Sequence, residues 1–199
     1  MNSQFASSNR LTSFRFLSLV ALLPMVGACG SASHQPQTDF RATATIKDIM
    51  DSTVEPSADA LWDSVSSTIS VRGVENKEPR TPEEWADVRR HAIRLLEATN
   101  SLLIPGRNIA KPGERAENPK VELAPEQIQT LVAQDRQAWV GFAHSLYDAV
   151  LPALQAIDAK NVDRLLDAGE KIDSACENCH LKYWYPNSDQ AVAAAAKKP

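Results

Sequence analysis

Four stretches of the chain repeat apolar positions at intervals of three and four residues, and no stretch sustains the alternation of a strand. The first runs from about Thr45 to Ser70, where Ile46, Ile49, Met50, Thr53, Val54, Ser57, Ala60, Leu61 and Val65 fall on one helical face. Thr45 and Asp48 have the spacing of a reciprocal N-cap. Pro56 lies inside the pattern, so a kink there, or a start displaced toward it, is expected. The second stretch runs from Pro82 to about Leu103, with Trp85, Val88, Ala92, Leu95, Leu96, Thr99 and Leu102 as its stripe. Thr81-Pro82-Glu83-Glu84 places a cap, a first-turn proline and a capping glutamate together at its start.

The third stretch runs from Pro125 to about Ala159, with Ile128, Leu131, Val132, Ala138, Trp139, Phe142, Leu146, Ala149 and Val150 inward. Pro152 is expected to bend or break it near its end. The fourth begins after Asn161, a good N-cap, and runs to about Tyr183. The junction between third and fourth is short, which makes them antiparallel neighbours, whereas Ile104 to Ala124 is long and rich in Pro, Gly and charge, as functional or mobile loops are. Four helices with one-sided stripes predict an all-α fold, an antiparallel four-helix bundle over residues 43–185, followed by a tail, 186–199.

Composition agrees with one such domain. The chain has 199 residues, 43% apolar and 23% charged, which excludes a wholly disordered protein, and a net charge of −4 argues against nucleic acid as a partner. Three cysteines cannot form a paired disulfide framework. The first 28 residues carry Arg10 and Arg15 and no acid, and Phe16 to Val26 is a short apolar run ending in Gly27 and Ala28. That pattern predicts a secretory signal over 1–28, too short to span a membrane. Val26-Gly27-Ala28-Cys29 resembles the lipobox of bacterial lipoproteins, which implies lipidation of Cys29, with 29–42 as a flexible tether. The charge then becomes −6, and contact with the membrane is through lipid alone, on the periplasmic side of a Gram-negative bacterium.

The other two cysteines stand in Cys176-Glu177-Asn178-Cys179-His180, a C-x-x-C-H sequence and the attachment signature of c-type haem. Two thiols three apart on a helix lie on one side, within reach of both vinyl groups of one porphyrin, and the adjacent imidazole is placed to ligate the iron. Val162, Leu165, Leu166, Gly169, Ile172, Cys176, Cys179 and His180 share a face, so the motif points inward, and Gly169 leaves room for something flat and large. A thioredoxin-like pair needs a βαβ setting that this chain lacks, and zinc needs a fourth ligand that no cluster supplies. No nucleophile–base arrangement or carboxylate pair suggests an enzyme.

Carried by Cys176, Cys179, His180 and the aromatic Tyr183, the stretch from about Thr43 to Tyr185 resembles the cytochrome c′ and cytochrome c-556 family, exported four-helix bundles with this motif on the last helix. The resemblance implies one covalent haem c, single-electron transfer and redox partner proteins. Members often carry a cation after the aromatic, where this chain has Trp184. No Met or His follows His180, and Met50 is the only methionine left once the signal is removed. Met50 lies on the inward face of the first helix, where c-556-type members place a ligand methionine.

His91 flanks its stripe and is the best competitor for the sixth position; His34 lies in the tether and His144 on the polar side. With His180 and Met50 bound, the iron is six-coordinate and suited to electron transfer; with Met50 merely packing, the iron is open or water-bound and takes nitric oxide or carbon monoxide. A non-haem helical lipoprotein serving as a binding module is the reading from a different class. Arg107, Lys111 and Arg115 are candidates to approach haem carboxylates, although a solvated loop is the plainer account. Trp62 projects from the far side of its stripe, as a subunit or partner contact would, which leaves a homodimer open.

Overall fold

The Thr45–Asp48 spacing does what its chemistry dictates. In the computed structural model, which describes residues 39–188, the Thr45 hydroxyl accepts from the Asp48 amide at 3.0 Å and the Asp48 carboxylate accepts from the Thr45 amide at 3.0 Å. The signal segment 1–28, Cys29, most of the tether and the tail from Asp189 lie outside the described residues. This cap opens α1 (Ile46–Ile49), which continues through a π-helical turn (Met50–Val54) into α2 (Glu55–Ser64). In that turn the Glu55 amide reaches back five residues to the Met50 carbonyl. The disturbance expected at Pro56 takes this form: a proline has no N–H for the ladder, and the turn just before it widens. Ile49 and Val54, five apart, are consequently both buried.

The first helix does not reach Ser70, and the fold is not all-α. After Val65, residues turn back in an antiparallel hairpin, β1 (Ser66–Ser70) and β2 (Gly73–Lys77), with Ile69 opposite Val74. A two-residue loop, Val71-Arg72, joins the strands, and Gly73 beside it takes φ +116°, which side-chain-bearing residues rarely adopt. Every residue of both strands is exposed. A strand that buries neither face has no reason to alternate, so the periodicity that identifies strands is missing here.

The structure is otherwise mainly helical. α3 (Pro82–Leu102) begins in the predicted capping box, α4 (Pro125–Gln134) and α5 (Arg136–Asp158) replace the single third helix, and α6 (Val162–Tyr183) starts at Asn161. The break falls at Asp135, whose side chain accepts from the Ala138 amide at 2.9 Å and so caps a new helix. Pro152, by contrast, neither breaks α5 nor ends it. The carbonyl it leaves without a helical donor belongs to Asp148, an exposed position.

α5 packs on both α3 and α6, and α2 on α3 and α6. Leu61, Leu95, Ile128, Val150, Leu165 and Ile172 are at most 2% exposed in the core they share. Each contributes roughly 1.5–3 kcal/mol by leaving water. Two indoles tie helices across this core: Trp139 donates to the Leu102 carbonyl at 3.2 Å, and Trp62 to the Gly169 carbonyl at 3.1 Å. The second contact corrects two expectations. Trp62 is half-buried against α6 and not a free partner surface, and the space at Gly169 is filled by that indole, since a Cβ there would lie 3.2 Å from Trp62 Cδ1.

The long connection is also pinned. Ile109 is 2% exposed, and the carbonyls of Asn108 and Ile109 accept from the first two amides of α1 at 2.8 and 2.9 Å. Lys111 bonds Asp48 at 2.5 Å, and this bond, with the Thr45 amide, holds the Asp48 carboxyl down at about 2. A lowered native pKa gives stability that is complete above the unfolded value and lost as the pH falls through the native one. Unfolding stability followed by circular dichroism should therefore decline between about pH 4 and pH 2, and Asp48→Asn should flatten that part of the profile. An unchanged acid limb in the variant would refute the assignment.

Candidate functional site

Two segments far apart in the chain meet at one cavity. It has a volume of about 440 Å³, within the range of about 300–1,000 Å³ usual for small-molecule sites. The π turn supplies Met50 and Val54, and α6 supplies Cys176, Cys179, His180 and Tyr183. Phe142 and Leu146 of α5 and Leu123 of the long connection complete an apolar wall. The amphipathic period of α6 explains its share: Ile172 and Ala175 are buried in the core, and Cys176, Cys179 and His180 sit half-buried one turn further, at the cavity's edge. The other candidates do not meet there. His144 is exposed, His91 does not line the cavity, and His34 lies outside the described residues.

Burial sets the protonation of the motif. It pushes the Cys176 thiol up to about 11, helped by Asp173, and the Cys179 thiol up to about 12, helped by Cys176. Both are therefore protonated at neutral pH, unlike the thiolates of exchange-active pairs. Burial also lowers His180, against the opposing carboxylates Glu177 and Glu55, which leaves it the neutral imidazole that metals bind. Among the described residues no group of three or more His, Cys, Asp and Glu is arranged to chelate a bare ion.

The segment after α6 closes over His180. The amides of Trp184 and Tyr185 both donate to the His180 carbonyl, at 2.7 and 3.0 Å, and the Trp184 carbonyl accepts from the Leu123 amide at 2.8 Å. The Trp184 and Tyr185 rings lie 6.4 and 5.8 Å from the imidazole, centre to centre. Tyr183 points the other way, edge-on to Trp139 at 5.3 Å and Phe142 at 5.7 Å. Its hydroxyl is buried with no hydrogen-bond partner although the residue lines the cavity. A buried hydroxyl left unpaired costs about 1–3 kcal/mol.

The rim is acidic. Asp51, Glu55, Asp59, Glu117, Asp173 and Glu177 are exposed at its edge, against the two cations Lys47 and Arg115. Of Arg107, Lys111 and Arg115, the last alone lines the cavity: Lys111 is paired with Asp48, and Arg107 donates to the carbonyls of Ala44 and Ser101. The acidic rim and the aromatic closure over His180 were not anticipated from the sequence. Their residues are scattered in number, and only the fold collects them.

Among the described residues no helix is long and apolar enough to cross a membrane. No protein-family model, curated protein or solved structure matches the chain.

Proposed function

We propose that this chain is a monohaem c-type cytochrome, similar to cytochromes c′ and c-556, that passes single electrons in the periplasm. The observation that carries this reading is the meeting of Met50 with Cys176, Cys179 and His180 around one apolar cavity. The residues present fit a covalently held porphyrin: a flat apolar body suits the Val54, Phe142 and Leu146 wall, and its acidic edge suits Arg115 on the same lining.

In this reading Cys176 and Cys179 would anchor the haem by thioether bonds, and His180, as a neutral imidazole, and Met50 would be the residues that hold its iron. Haem so ligated supplies a one-electron iron couple whose potential Met/His ligation raises. The chain's own work is positional: the aromatic and aliphatic walls keep water from the iron, and the packed helices hold both ligands still. An antiparallel four-helix bundle of α1–α2, α3, α5 and α6 accounts for the helix contacts and for the short connection between α5 and α6. Export by residues 1–28 and lipidation of Cys29 belong to the same proposal.

Expression with export in a host competent for c-type maturation tests it. The alkaline pyridine spectrum is expected to show one covalent haem per chain, and Cys176→Ala with Cys179→Ala should abolish it. Wild-type protein without covalent haem would refute the proposal and leave a non-haem helical lipoprotein in its place.

A further inference from the structure

The charges that face His180 are carboxylates, Glu177 one turn before it on α6 and Glu55 across the cavity. Neither residue of the closing segment supplies a cation: Trp184 and Tyr185 flank the imidazole with rings alone. Glu177 is exposed, and an exposed carboxylate that moves freely is screened by water and acts weakly on a nearby site. Here it does not move freely. The Tyr185 hydroxyl donates to Glu177 Oε2 at 2.6 Å, while the Tyr185 ring stands edge-on to His180 at 5.8 Å. Tyr185 is in turn anchored, because its amide and that of Trp184 are bound to the His180 carbonyl and Trp184 is bound to Leu123. A single side chain thus touches both the imidazole and the carboxylate.

We propose that Glu177 and Tyr185 form a tuning pair for the iron that His180 holds, Glu177 supplying a fixed negative charge and Tyr185 fixing its position. This rests on the haem reading above. A stationary negative charge beside the ligand stabilises the ferric state over the ferrous and lowers the reduction potential. Tyr185 is a positioning residue: it acts through Glu177 and through the orientation of the imidazole.

Potentiometric titration of the haem-bearing protein tests the pair. Glu177→Gln keeps the shape and removes the charge. It is expected to shift the ferric-to-ferrous ratio about tenfold toward ferrous at a given ambient potential, a rise of about 59 mV for a one-electron couple. Tyr185→Phe keeps the ring on His180 and frees the carboxylate, so the potential should rise by less. With Glu177→Gln already present, Tyr185→Phe should add nothing, because there is no charge left to hold. Glu177→Asp, which retains the charge but falls short of the tyrosine, should match Tyr185→Phe. An unmoved potential in Glu177→Gln, or full additivity of the two changes, would overturn the pair while leaving the haem reading intact. Wild-type protein lacking covalent haem would overturn both.

Discussion

Met50→Ala is expected to turn a six-coordinate, low-spin haem spectrum into a high-spin one and to open the iron to carbon monoxide. Met50 is the one thioether among the described residues, and it stands at the start of the π turn on the wall of the cavity that also holds His180. No other side chain with a good claim to the sixth position lines that cavity, since His91 and His144 lie elsewhere. Loss of the thioether therefore leaves a vacant position behind an apolar wall, which a small neutral gas can enter. The change is separable from unfolding. Met50 is only half-buried, so truncation costs less than the roughly 2–5 kcal/mol of a fully buried methionine. Absorption spectra of both proteins, with and without carbon monoxide, decide the matter. A wild-type protein that is already high-spin, or a variant with an unchanged spectrum, removes Met50 as ligand and favours a gas-binding site of the same fold.

Ile172→Ala is the largest expected effect on stability. Ile172 is 0% exposed on α6, one turn before Cys176. Truncation removes its transfer free energy and leaves a void that the helices packed on α6 cannot close without moving, a loss of about 2–5 kcal/mol. At about 2–4 °C per kcal/mol for a domain of this size, the midpoint of thermal unfolding should fall by about 4–20 °C. Because the side chain is on the core side of α6 and does not line the cavity, the spectrum of the folded variant at 25 °C should match the wild type. A midpoint within about 2 °C of the parent, less than 1 kcal/mol, would show that α6 is not packed as described.

The helical framework could be read ahead of the structure because its signals are local. The Thr45, Thr81 and Asn161 caps sit where side-chain oxygens meet orphan amides, and α3 and α6 end within a residue of their stripes. The third stripe carried its own warning: no apolar residue occupies Asp135 or its neighbours, and the helix breaks there. The hairpin gave no periodic signal, and Gly73, next to its tip, was its plainest turn-forming residue. Trp62 was misjudged because the wide turn before Pro56 changes the phase of α2 relative to α1, and a uniform step of about 100° carries the indole to the wrong side. In the site, the C-x-x-C-H spacing came from residue type and position alone, and the choice of Met50 came from its place on the first stripe together with the resemblance to c-556-type proteins. The acidic rim is gathered from segments far apart in number, and the Tyr185–Glu177 contact depends on a turn beyond the last helix, which no helical period describes.

The hairpin offers something practical. Its base closes on itself, with Ser66 paired to Lys77, so the chain leaves and rejoins the helical part at nearly one point. Its tip, Val71 and Arg72, is wholly in solvent. A reporter, an affinity tag or a single cysteine for surface immobilisation spliced there extends an arm already held clear of the core. For a protein whose amino end is read as removed or lipidated, and whose last helix is proposed to carry a haem, that loop is the handle by which it can be held.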